Sequence, residues 1–360
     1  MTALTEQLLR LIPVNGPLRL DHYMAMALMH PQHGYYMKGS PIGAEGAFTT
    51  APEISQMFGE LLGAWLHQQW QSLGCPSPVD ILELGPGRGT FMADVLRVTG
   101  LDPAFTRAAN VRLVEPSPSL RAMQQDRLRP FAVPVTWHSS LASVPLEGPV
   151  LIFANEVFDA LPVRHLKRGP KGWHERYIDV EEGRLVWRFA ADVTPDVLIP
   201  AALRQSADGA IVEISPARAG LMAEICGHLQ TRDGAALIID YGYAQSQLGE
   251  TLQALRRHQP VDPLQCPGEA DLTAHVDFEA LRAVVPSPLE AHGPVAQGDL
   301  LRTLGLAARV TRLQAEASAQ QSAAIAQAAH RLADEQAMGQ LFKALAICHE
   351  GRPPPPGFAP

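Results

Sequence analysis

A doubly wound α/β fold is expected of this chain, on three grounds. Short apolar strands alternate with helical runs between residues 79 and 240. The first of those strands runs directly into a glycine-rich turn that opens a helix. The chain is also 360 residues long and 46% hydrophobic, which is enough to bury a large core. Such alternation implies right-handed crossovers and a parallel sheet covered on both faces.

The elements follow in order. Residues 1–30 read as helix, with Leu4, Leu8, Leu11 and Ile12 at helical spacing and a second run from Leu20 to Met29. A loop from His33 to Glu53 (HGYYMKGSPIGAEGAFTTAPE) has the length of a lid or binding loop rather than a connector. Ser55 to Leu73 is an amphipathic helix with Met57, Leu61, Leu62, Trp65 and Leu66 on its apolar side. Strands are expected at Val79–Leu84, Asn110–Glu115, Pro134–His138, Val150–Ala154 and Ala235–Asp240, with a helix over Thr90–Val98. His174–Val180 and Arg184–Phe189 flank Glu-Glu-Gly and predict a β-hairpin. The stretch Gln245–Pro294 reads as irregular and polar, Leu313–Met338 as one Ala/Gln-rich helix, and the four prolines near the end as a surface tail. The expected organisation is a helical cap with a covering loop at 1–76, then a sheet domain at 77–360 with insertions at 165–200 and 245–295.

Charge and cysteines narrow the function classes. Lys+Arg number 29 and Asp+Glu 37, a net charge of −8 with no basic stripe, so nucleic acid is not an expected partner. Cys75, Cys226, Cys266 and Cys348 are far apart and form no CxxC pair; neither a metal site nor a disulfide framework is expected. No apolar run reaches membrane-spanning length, and MTALTEQLLRLIPVNG lacks the pattern of a secretory signal. A cytoplasmic bacterial protein is the expectation, with a homodimer left open.

Three segments carry chemistry. Glu83-Leu84-Gly85-Pro86-Gly87-Arg88-Gly89-Thr90 joins a strand to a helix, where glycines admit a ligand to the backbone and the helix offers N–H donors. Its spacing is GxGxG, not the GxGxxG of dinucleotide sites, which disfavours a nicotinamide-dependent oxidoreductase. Glu115 ends the second strand, where a carboxylate accepts hydrogen bonds from the hydroxyls of a ribose. The plainer alternative is a tight turn and a solvent-facing acid. After the third strand the sequence reads His138-Ser139-Ser140-Leu141, with a hydroxyl but no acid or amide at Ser140. Asn155-Glu156-Val157-Phe158-Asp159 follows the fourth strand, on the edge of the sheet where substrates bind. Two acids there suit a cationic nucleophile: they hold a guanidinium bidentately and accept its proton. Alternatively, Glu156 or Asp159 caps a following helix. Phe48–Gln56 is the third segment, with Pro52 and Glu53 suited to a first helical turn and Ala51 or Thr50 near its cap. Asp240, at the end of the fifth strand, and His275, within Asp271–Asp277, are further candidates to line a pocket.

Taken together, AFTTAPEISQMFGELLGAW, ELGPGRGT, NEVFDALP, ADLTAHVDF and MGQLFKALAICHEGRPPPPGF resemble the MidA-like family of methyltransferases that use S-adenosylmethionine (AdoMet). The resemblance covers essentially the whole chain. It implies a seven-stranded class I methyltransferase sheet, AdoMet as cofactor, and a protein arginine as substrate, symmetrically dimethylated on its ω-nitrogens. Relatives of the family suggest a subunit of respiratory complex I, or its bacterial counterpart, as the protein methylated. The resemblance assigns Glu83, Gly85, Pro86, Gly87, Gly89, Glu115, Thr50, Pro52 and Gln56 to the cofactor; the acid or amide usual after the third strand, facing the adenine, is missing here, and the Ser140 hydroxyl is the weaker candidate for that contact. Glu156, Asp159 and Asn155 fall to catalysis, and Glu53, Asp240 and His275 to the substrate. A rival reading makes the chain a non-catalytic assembly protein that binds AdoMet structurally.

Overall fold

The structure, a computed structural model, describes residues 1–38 and 50–358. Contacts divide the chain into two units: Thr49–Val157 with Met222–Ala244 and Leu281–Pro360, and Met1–Phe48 with Phe158–Leu221 and Gln245–Ala280.

The first unit contributes seven strands to one sheet: β1 (Val79–Leu84), β2 (Ala109–Val114), β3 (Val135–His138), β4 (Val150–Asn155), β5 (Gly234–Tyr243), β6 (Leu289–Ala296) and β7 (Phe342–His349). They lie in the order β6-β7-β5-β4-β1-β2-β3. Strands β1 to β5 run parallel, and β7 is antiparallel to both of its neighbours. This is the sheet of class I AdoMet methyltransferases. Crossovers lead away from β1 in one direction and from β4 in the other, so the strand order reverses between them. Leu84 pairs with Val114 and Ala154, which brings the carboxyl ends of β1, β2 and β4 to one level. Ligands of open α/β sheets bind at that crevice.

Every residue of β1 is buried, as a central strand covered on both faces requires. Its Asp80 is fully buried because Arg112 of β2 donates to it at 2.9 Å and the Glu147 and Gly148 N–H groups at 2.6 and 3.1 Å. The rings of Phe91 and Phe153 stack at 3.8 Å between centroids, within a core that includes Phe58, Trp65 and Leu237. The helix Gln56–Ser72, capped by Ser55, packs in this unit, whereas the sequence groups it with the N-terminal helices. It crosses Thr90–Thr99 so closely that a Cβ on Gly59 would stand 2.5 Å from the Cβ of Asp94.

The second unit sets helices Ala3–Asn15 and Leu20–Met29 against an antiparallel sheet of Leu18–Arg19, Gly172–Glu181, Arg164–Gly169 and Ile211–Ile214. Gly172–Glu181 and Arg184–Phe189 form the expected hairpin, turned by Glu182 and Gly183 at φ 49° and 73°.

Three expectations are corrected. The irregular segment ending at Pro294 holds four short strands and the helix Phe278–Val284, and its last residues belong to β6. A register shift between His292 and Val295, around Gly293-Pro294, breaks the alternation that would have marked the strand. The single helix over 313–338 is two: Leu306–Gln314 ends before Ser318, which starts Ala319–Ala333 with a capping box to Gln321. The proline tail is not free on the surface. Pro355 and Phe358 are buried, and the carbonyl of Pro356 accepts the indole N–H of Trp65 at 3.1 Å. Among the described residues no helix is long and apolar enough to cross a membrane.

Candidate functional site

The chain reverses between β1 and the helix Thr90–Thr99 through Gly85, Gly87 and Gly89, at φ 58°, 53° and 76°. This left-handed backbone is what glycine supplies without strain. At Gly85 space is a second constraint, since a Cβ there would meet Val157 Cγ2 at 2.9 Å. The Gly85 N–H donates to Val114 at 3.0 Å, tying the turn to the end of β2.

Two buried carboxyls flank the turn. Glu83, 4% exposed, is pushed up to about 8, by burial first and by Glu115 second. Its Oε2 is buried and has no hydrogen-bond partner among the described residues. Glu115, directly after β2, is pushed up to about 7 by burial. Opposing that shift, its Oε1 accepts the Ser117 N–H at 2.8 Å and its Oε2 accepts Gln124 Nε2 at 3.4 Å.

Past β4 the backbone takes an unusual path. Glu156 sits at φ 52°, a strained conformation for a residue with a side chain, costing on the order of 1–3 kcal/mol. Its N–H donates to Ile239 of β5 at 3.0 Å. Its Oε1 accepts Asn155 Nδ2 and the Ala51 N–H, each at 3.1 Å. Ala51 opens a short helix, Ala51–Ile54, with Thr50 at its N-cap position and Pro52 in its first turn. One residue of that helix, Glu53, is the acceptor for the hydroxyl of Thr90, the first residue after the glycine turn, and lies 3.7 Å from Arg88. The covering segment thus touches both the turn and the residue after β4. Asp240, fully buried, accepts the Val157 and Tyr241 N–H groups at 3.2 and 2.9 Å. Gln56 and Ser140 lie apart from these contacts: both are exposed, Gln56 within 3.5 Å of Arg97. The lid expected of the long loop falls largely on residues 39–49, outside the described residues.

Residues 61–295 match the profile of a family described as S-adenosyl-L-methionine-dependent methyltransferases. The chain is 34% identical to the mitochondrial protein arginine methyltransferase NDUFAF7 of Xenopus tropicalis, over 99% of this chain and 89% of that one. It is 35% identical to the homologue of Drosophila melanogaster, over 96% and 84%. A crystal structure of a Burkholderia thailandensis protein bound to S-adenosyl-homocysteine superposes with a TM-score of 0.84 at 28% identity, covering 99% of this chain and 93% of that one. The chain belongs to this methyltransferase family. It is an enzyme, and AdoMet is its cofactor. The nicotinamide reading is thereby excluded.

The residues of the methyltransferase fit that cofactor. Glu83 Oε2 is a buried acceptor with no donor among the described residues, the turn approaches Val157, just past β4, so closely that a side chain on Gly85 would not fit, and Glu115 presents a carboxylate beside the turn. A hydroxyl-bearing cation supplies what two buried acids lack.

Asp159 and His275 belong to the other unit of the methyltransferase. Residues 156–163 form bends and turns leading to the strand Arg164–Gly169, so the capping alternative for Glu156 and Asp159 lapses: no helix follows. The Asp159 carbonyl accepts the Ala274 N–H at 3.0 Å, and the His275 N–H donates to Thr251 Oγ1 at 2.8 Å. Asp271 accepts the Tyr36 hydroxyl at 2.8 Å, and Asp277 accepts the Ser246 hydroxyl at 2.7 Å.

Two residues escaped the sequence reading. Gln124 is fully buried beside the turn; its signal was position, since Leu120, Gln124 and Leu128 fall on one helical stripe and all are buried. Arg218 is 5% exposed and donates to the carbonyls of Phe158, Asp159, Ala274 and His275 at 2.6–3.2 Å. A lone arginine at a helix start gives no comparable signal.

Proposed function

We propose that this methyltransferase acts on arginine side chains of a partner protein, forming symmetric ω-dimethylarginine, and that its substrate is a respiratory complex I subunit or the bacterial counterpart. Support comes from the relatives named protein arginine methyltransferases, which align along nearly the whole chain. The observation that carries the chemistry is Glu156: a carboxylate held in a left-handed backbone after β4, fixed by Asn155 and by the covering segment.

When bound, AdoMet supplies an electrophilic methyl group on sulfur. Arginine is protonated at neutral pH, with a pKa of about 12.5–13.8, so the attacking nitrogen needs a free lone pair. In this reading Glu156 draws the guanidinium charge toward itself, orients the far nitrogen, and takes the proton at its carboxylate. Asn155 holds Glu156 through Nδ2. Glu83 and Glu115 hold the cofactor, and the Ala51–Ile54 helix covers it and excludes water. Alignment and water exclusion of this kind are worth up to about 7–11 kcal/mol.

The test is arginine methylation in a deletion strain. Dimethylarginine on a respiratory subunit should disappear and return with the wild-type chain but not with Glu156→Gln. An unchanged methylation pattern would sink the arginine assignment.

A further inference from the structure

We propose that Gln124 is a positioning residue of the cofactor site, fixing the Glu115 carboxylate and the Gly87 peptide in one orientation for AdoMet. The inference rests on the reading of Glu115 as the acid that holds the cofactor's ribose. Gln124 lies on the helix Pro118–Leu128 and is fully buried. Its Oε1 accepts the indole N–H of Trp137, from β3, at 2.9 Å. Its Nε2 donates to the Gly87 carbonyl at 2.7 Å and to Glu115 Oε2 at 3.4 Å.

These partners settle which way the amide points. An indole N–H only donates, so the amide oxygen must face Trp137. The NH₂ group then faces two acceptors, a carbonyl and a carboxylate, and its two protons satisfy both. The stem of the side chain lies under the turn as well: a Cβ on Gly89 would stand 3.3 Å from Gln124 Cγ. One side chain therefore touches the turn at Gly87 and Gly89, the acid after β2, and β3. A glutamate in its place keeps the acceptor for Trp137 but sets a carboxylate against Gly87 and Glu115.

The charges around Glu115 define the expected pH behaviour. Glu83 faces it from β1 and disfavours its ionised form, while Arg121, from the same helix as Gln124, favours it. The Gln124 amide and the Ser117 N–H add to the favourable side. Wild-type affinity for AdoMet should rise with pH as Glu115 ionises. In Gln124→Glu the new carboxyl donates only when protonated, so the optimum should move to lower pH.

The experiment is calorimetric titration of the full chain with AdoMet, from about pH 6 to 9, for wild type, Gln124→Glu, Gln124→Met and Glu115→Ala, with circular dichroism as the check on folding. Gln124→Glu should lose at least about tenfold in affinity at the alkaline end and recover part of it on acidification. Gln124→Met, which decides the matter if the glutamate variant does not fold, should lose affinity and show its rise displaced to higher pH. Affinities within about twofold of wild type throughout, or a loss that keeps the wild-type pH profile, would overturn the proposal. If Glu115→Ala binds AdoMet like wild type, the reading of Glu115 falls instead, and this inference with it.

Discussion

Glu156 Oε1 accepts the backbone N–H of Ala51 at 3.1 Å, joining the residue after β4 to the covering helix. The contact uses one oxygen, which also accepts Asn155 Nδ2. Glutamine keeps an oxygen for both donors and removes the charge. Glu156→Gln should therefore fold and bind AdoMet as the wild type does, while turnover falls at least about tenfold. Glu156→Ala should weaken AdoMet as well, because the helix loses its anchor. Equal turnover in wild type and Glu156→Gln, measured by methyl transfer from radiolabelled AdoMet, would remove Glu156 from the chemistry.

The pairing of Glu83 with Glu115 predicts a proton-linked cofactor. Burial raises both carboxyls, to about 8 and about 7, so without ligand the pair holds protons near neutrality. For an acid raised in the folded state, the stabilising contribution is full below its unfolded value and lost as pH rises through the folded one. The cofactor-free protein should thus lose thermal stability between about pH 5 and 8, and Glu83→Gln should flatten that decline. A cationic ligand reverses the shift. Binding of AdoMet near pH 7 should release on the order of one proton, read from calorimetry in buffers of different ionisation enthalpy. No dependence on buffer would contradict the pairing.

Arg218 predicts a stability effect within the second unit. Its guanidinium donates to four carbonyls in two segments, Phe158–Asp159 and Ala274–His275, and is almost wholly buried. Removing it leaves buried acceptors unsatisfied, at about 1–3 kcal/mol each where water cannot enter. Arg218→Met should lower unfolding free energy by roughly 3 kcal/mol in urea, with Arg218→Lys recovering only part. A loss below about 0.5 kcal/mol would show that water replaces the guanidinium freely.

The parallel strands and the glycine turn were legible in the sequence for a physical reason. A strand buried on both faces must be apolar throughout, as VDILEL nearly is, and GPGRG leaves few conformations other than a tight turn. Strand β6 was not legible, because Gly293-Pro294 and the register shift erase its pattern. The break before Ser318 was present as a capping box but lay inside an Ala/Gln-rich stretch that reads as uninterrupted helix. Glu156 was singled out from its charge and its place after the fourth strand, whereas its left-handed backbone and its bond to Ala51 arise from tertiary contacts. Gln124 shows the converse: a polar residue on an apolar helical stripe is itself a signal, and it went unread.

The tail makes the final prediction. A run of four prolines cannot join a sheet or a helix interior, which suggests a solvent-exposed end. Yet the segment brings Phe358, 6% exposed, into the same core as Trp65 and Leu300. The rigid prolines lower the entropy lost on docking, and the Pro356 carbonyl accepts the Trp65 indole at 3.1 Å. Phe358→Ala should therefore cost about 3 kcal/mol of unfolding free energy, the lower end for a buried phenylalanine. Trp65→Phe, which removes one hydrogen bond and three buried ring atoms, should cost about 2–4 kcal/mol. Because both residues serve one contact, the double variant should cost less than the sum. Urea unfolding of the three variants tests this: a Phe358→Ala loss below about 1 kcal/mol, or strict additivity, would return the tail to the surface.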